Sequence, residues 1–150
     1  MSRGWLVLLG LRYVSLTPSV GLSKYVVITR LRTRGGDVPG FAFALPVVSG
    51  RKEFDRKTLE EIAGPRLAEH EAAMREAGIS RHAAWHQQTP DGTLAVVYME
   101  ARDEAALGHF TASDEPFNTW FREAMKEVHG VDISQPLPPV TKVMDVQLKD

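Results

Sequence analysis

The stretch that most restricts the fold is "ISRHAAWHQQTPDGTLAVVYMEA", residues 79–101. Its first arm, "ISRHAAWHQQ", reads as a strand, and its second, "TLAVVYMEA", is a strand rich in β-branched and aromatic residues. Between them "TPDGT" supplies a turn with a physical mechanism. Pro90 presets its backbone angle, Asp91 follows, and Gly92 takes the left-handed position. A chain with this hairpin at its middle contains an antiparallel sheet, and its other segments must cover that sheet.

The flanking segments fit this requirement. "FAFALPVV" (41–48) places Phe41, Phe43, Leu45 and Val47 on one side, a strand signal. Residues 49–78 are helical, starting at Ser49 or Gly50, with Phe54, Leu59, Ile62, Leu67 and Met74 on the apolar side. Gly64-Pro65 divides them into two helices or one sharply kinked helix, because proline lacks the donor and clashes with the preceding turn. Pro65 is expected in the first turn of the second piece, and Gly78 where a helix stops. After the hairpin come a short helix beginning near Asp103 and a longer one over 114–130. In the longer helix Phe117, Trp120, Phe121, Ala124, Met125 and Val128 make one continuous helical stripe. Ser113 or Asp114 caps it, Pro116 sits in its first turn, and Gly130 ends it. His129 lies near the negative end of its dipole, a structural reason for a histidine there. Pro136, Pro138 and Pro139 keep the next loop out of helix, and "VTKVMDVQL" (140–148) predicts a last strand.

The order strand, helix, strand, strand, helix, strand is the ferredoxin-like β-α-β-β-α-β arrangement, an α+β fold. It implies a four-stranded antiparallel sheet with helices on one face. The other sheet face is too apolar to face water, and a second subunit is its simplest cover, which predicts a homodimer through the sheet face.

Composition sets limits on the chemistry. The 150 residues include no cysteine, which excludes disulfides, thiolate metal sites and cysteine nucleophiles and fits a reducing cytoplasm. Residues 1–36 carry six basic residues and no acid, whereas the remainder carries twelve basic and nineteen acidic residues. The chain therefore reads as a basic extension, 1–40, and one domain, 41–150. The extension is expected to be poorly ordered, or a weak strand at "YVVIT" followed by a Gly/Pro-rich linker. Its first apolar run is interrupted by Arg12, has no signal-like cleavage site and is far short of the ~20 apolar residues of a membrane span. The domain is acidic and lacks an RNA-binding strand motif, so neither nucleic acid nor membrane is an expected partner.

A three-residue loop, Pro90-Asp91-Gly92, sets Thr89 opposite Thr93. His86, Gln88, Tyr98 and Glu100 then share one sheet face, with His82 beside them, and a slip of one residue exchanges the partners. An imidazole near a phenol and a carboxylate moves protons at neutral pH, so His86, Tyr98 and Glu100 are the candidate catalytic group. The same residues also fit a hydrogen-bond network at a dimer interface. Trp85 and Trp120 are candidate ligand-pocket walls, Gln88 a polar ligand contact, and Arg66 a clamp for an anion near a helix start. No metal site is expected: His82 and His86 lie about 13 Å apart on one strand, and no metal-ligand motif occurs. No phosphate-binding or dinucleotide motif occurs either, and nothing favours a haem ligand or other cofactor.

Four stretches carry a family resemblance: "FALPVVSGRKEFDR", "GPRLAEHEAAMREAGISRHAAWHQQTPDG", "LAVVYMEARD" and "SDEPFNTWFREAMKEVHGVDISQPLP". Over 41–150 the chain resembles a bacterial domain-of-unknown-function family of the dimeric α/β-barrel superfamily. The resemblance implies a ferredoxin-like protomer that pairs through its sheet into a barrel. Other members of that superfamily include cofactor-independent monooxygenases, haem-degrading enzymes and ligand-binding proteins. The expected function is small-molecule binding, with monooxygenase-like or other acid–base chemistry. The alternative is a non-catalytic ligand-binding or assembly module.

Overall fold

The computed structural model describes residues 31–33, 36–135, 144 and 146. The expected strand at "YVVIT" lies outside the described residues. So does the expected strand over 140–148, save for Met144 and Val146, which are exposed. The elements in chain order are β1 (Leu31–Thr33), β2 (Gly36–Val38), β3 (Gly40–Pro46), α1 (Lys52–Ala63), α2 (Leu67–Ala77), β4 (Ile79–Thr89), β5 (Gly92–Ala101), α3 (Ala106–Ala112) and α4 (Pro116–His129). Over the described residues the fold is mixed α+β, with a three-stranded antiparallel sheet and four helices. β5 is central, flanked by β3 and β4. β1 and β2 form a separate short hairpin, where the sequence suggested a linker.

Each helix end has a local cause. α1 stops at Gly64 and α2 starts at Leu67, so Gly64-Pro65 produces two helices, with Pro65 before the second helix rather than in its first turn. Gly78 ends α2 in the left-handed conformation, φ 82°, and its N–H reaches back to the Arg75 carbonyl. Glu115 rather than Ser113 or Asp114 holds the N-cap position of α4 ahead of Pro116, with no side-chain cap bond, and its N–H donates to the Ser113 hydroxyl. α1 begins at Lys52, later than Ser49 or Gly50.

The core lies between the helices and one face of the sheet. Phe41, Phe43 and Leu45 of β3 and Ala95, Val97 and Met99 of β5 point into it. Phe117, Phe121, Ala124, Met125 and Val128 of α4 meet them, the stripe expected from the sequence. Burying side chains of this size contributes roughly 1.5–3 kcal/mol each. α1 is rotated from expectation: it buries Asp55, Thr58 and Ile62, while Phe54 is 36% exposed. Leu67 is likewise exposed. The end of α4 is fastened to the end of β3, where the Val48 N–H bonds the Val128 carbonyl.

The hairpin corrects the expected register. Its loop is Pro90-Asp91 alone: Thr89 lies opposite Gly92, and Gln88 opposite Thr93. Gly92 has φ 125°, and the Thr89 hydroxyl donates to the Gly92 carbonyl at 2.9 Å, closing the shorter turn. Every cross-strand partner therefore changes face. His82, Ala84 and His86 share the inner face with Met99, Val97 and Ala95. Arg81, Ala83 and Trp85 share the outer face with Glu100, Tyr98 and Val96. Among the described residues, no helix is long and apolar enough to cross a membrane.

Candidate functional site

Alternation along β4 drives two imidazoles into the layer between sheet and helices. His86 meets Asp55 of α1, Nε2 to Oδ2, at 2.6 Å. A carboxylate only accepts, so the imidazole donates through Nε2. Asp55 is 1% exposed, and a carboxylate that deep requires a charged or hydrogen-bonded partner. It sits in the first turn of α1, where the helix dipole favours negative charge. The His86 side chain is 19% exposed, so it links the buried carboxylate to solvent.

His129, at the end of α4, is buried nearby. Its Nδ1 lies 3.0 Å from the Pro46 carbonyl, which fixes the proton on Nδ1. Burial holds its pKa below the ordinary histidine value; the Pro46 bond and the Asp55 carboxylate act against that shift, and His86 acts with it.

The second imidazole of β4, His82, meets His70 of α2 at 3.1 Å, Nδ1 to Nε2. Burial lowers both, His82 to about 4 with His70 adding to the effect, so the pair is neutral near pH 7 and shares one proton in its bond. His70 packs against Phe110 and Phe117, and its Nδ1 has no partner. A buried N–H without a partner is rarer than a buried acceptor without one. The favoured tautomer therefore has His70 donating through Nε2, which leaves His82 with its proton on Nε2.

A cavity of about 50 Å³ lies in this layer. Its wall is mainly aromatic and aliphatic, with Phe43, Phe110, Phe121 and Met125 prominent. Asp55, His82, Thr111 and His129 are the polar side chains on it. An apolar chamber bordered by a carboxylate and imidazoles is suited to moving protons on a bound molecule. Among the described residues, no group of three or more histidine or acidic side chains could hold a metal ion.

The residues singled out in the sequence are placed differently. His86 is inside, whereas Tyr98 and Glu100 are on the outer face, so the expected trio does not assemble. Tyr98 and Glu100 do pair, the hydroxyl donating at 2.9 Å, with Arg81 at 3.4 Å from the same carboxylate oxygen. Burial and the Glu100 carboxylate push the Tyr98 phenol up. Trp85 is on the outer face and 53% exposed, away from the cavity. Gln88 accepts from Lys52 and Thr93 beside the turn of the hairpin. Arg66 and Trp120 do come together: the guanidinium lies 3.9 Å from the ring centroid and pairs with Glu69 through two nitrogens, leaving it less free to clamp an anion.

Sequence reasoning missed Asp55 and read His129 only as a helix-end residue. The signal available for Asp55 was its i, i+3, i+7 spacing with Thr58 and Ile62, a stripe that competes with the one through Phe54. Comparison of the chain with protein-family models, curated proteins and solved structures gave no match.

Proposed function

We propose that the chain binds a small molecule in the cavity beneath its sheet and exchanges protons with it through Asp55, which His86 orients. The observation that carries this reading is a carboxylate 1% exposed, on an apolar cavity wall, hydrogen-bonded at 2.6 Å to an imidazole that reaches solvent. Asp55 takes the ligand's proton on the carboxylate, while the Nε2–H of His86 stays hydrogen-bonded to it and holds it in place. Apolar walls keep water from competing with the ligand and strengthen each polar contact. The cavity is well below the ~300 Å³ of ordinary ligand pockets. Its occupant is therefore compact, or enters as the unbranched side chains of Met99 and Met125 rearrange.

In this reading the protomer is ferredoxin-like. The sheet order β3-β5-β4 supports it, because β3 and β4 run parallel with β5 between them. The outer face carries Ala42, Ala44, Ala83, Trp85, Val96 and Tyr98, an apolar surface suited to a second copy. The non-catalytic alternative is supported by one observation: the Asp55–His86 bond also ties α1 to β4, which is a structural role sufficient to explain it.

A fragment library separates the two readings. Compounds that raise the melting temperature of the wild type should lose that effect in Asp55→Asn and His86→Gln proteins that remain folded. Fragments that stabilise both variants as well as the wild type would support the structural role.

A further inference from the structure

The cavity between sheet and helices measures about 50 Å³, and its surface is almost entirely hydrocarbon and ring. The polar side chains on its wall spend their polar atoms on the protein. Asp55 bonds His86, His82 bonds His70, His129 bonds the Pro46 carbonyl and Thr111 bonds the Leu107 carbonyl. What they show the cavity is therefore mainly carbon. Water would fit by volume, since one molecule needs only ~10–15 Å³, but it also needs ~2–4 polar partners, which this wall does not supply. The cavity is dry for that reason. An apolar cavity of about 150 Å³ takes benzene or xenon. At about a third of that volume, this one has room for a xenon atom or a short alkyl group and not for a benzene ring.

From this we infer that the cavity is a dry site for a compact hydrocarbon group, methyl to isopropyl in size, and that it excludes water, charged groups and six-membered rings. A charged group would lose its hydration and gain no partner. A hydrocarbon group loses nothing on leaving water and gains dispersion contacts with Phe43, Phe110, Phe121 and Met125. The flexible Met99 and Met125 side chains let the wall close on guests that differ by a methyl group. The inference rests on the reading that this cavity takes a ligand, and it names the part of the ligand that enters. The atom that gives up a proton must then lie against Asp55, with hydrocarbon filling the rest.

Methyl-observed NMR of the full chain tests it with three probes: xenon, cyclopropane and benzene. Xenon and cyclopropane are expected to give saturable shifts at the methyl groups of Met99, Met125 and Leu107, and benzene none. Ala84→Val fills part of the space and should abolish those shifts, with Ala95→Val as the second variant should the first fail to fold. Absence of xenon shifts in the wild type, xenon shifts undiminished in the filled variants, or a water cross-relaxation signal at these methyl groups would overturn the dry apolar site. Benzene shifts as large as those of cyclopropane would overturn the size limit. Xenon binding together with fragments whose stabilising effect is unchanged in Asp55→Asn would uphold this inference and sink the proton exchange at Asp55.

Discussion

Asp55 in α1 and His86 in β4 lie 31 residues apart in the chain and meet at 2.6 Å beneath the sheet. His86 stands out in the sequence and Asp55 does not. The contact exists because a two-residue loop turns His86 inward and because α1 buries the face carrying Asp55.

That pair has a direct stability consequence. Replacing His86 with alanine leaves a carboxylate buried without its partner, which costs about 3 kcal/mol when an ion-paired group is fully enclosed. The partial exposure of His86 makes a loss at or below that figure the expected result. Asp55→Asn retains an oxygen that can accept from His86, and should cost about 1 kcal/mol. Urea midpoints of the two variants check the order; equal losses would contradict it.

The buried histidines make stability depend on pH. Burial depresses His82 from 6.5 to about 4, and lowers His70 and His129 in the same direction. The unfolded chain therefore takes up protons first as pH falls. Their contribution is fully present above 6.5, is lost progressively toward 4, and does not decline further below the folded value. Denaturation at pH 7.5, 6, 5 and 4.5 should show falling stability, and His82→Gln should flatten the slope. The exposed carboxylates lowered by neighbours, Asp103 and Glu69 among them, act in the same sense, from the lower end of this window downward. A stability that is level from pH 7.5 to 4.5 would refute the buried-imidazole account.

Gly78 is required by its backbone conformation. Its φ is 82°, and a Cβ there would come within 3.1 Å of the Arg102 guanidinium. Gly78→Ala is expected to destabilise by about 1–2 kcal/mol from the left-handed conformation alone. Gly108 has nothing within 4 Å of an added Cβ and no such conformation, so Gly108→Ala in α3 serves as the control and should be neutral or stabilising.

The outer sheet face predicts self-association. Trp85, 53% exposed, stands opposite Val96 on that face. Light scattering should give the mass of a dimer, and Trp85→Glu should give a monomer with unchanged circular dichroism. A wild-type monomer at high protein concentration would remove the homodimer from the account.

The elements were legible in the sequence wherever one local rule decided them. The aromatic stripe of α4, the Gly64-Pro65 break and the left-handed stops at Gly78 and Gly130 are all set within a few residues. The site was not, because it depends on two choices of a single residue. A loop of two residues rather than three moved His86 away from Tyr98 and Glu100. A small rotation of α1 put Asp55 inside and Phe54 outside. The pairing of His70 with His82 joins a helix to the following strand around Gly78, and no periodicity within either segment marks it.

The most direct measurement is an NMR map of where a stabilising fragment binds. The account predicts saturable shifts centred on Asp55, His86 and His129, with matching losses in Asp55→Asn. Shifts centred on Trp85 and Tyr98 of the outer face, or undiminished binding to Asp55→Asn, would contradict it.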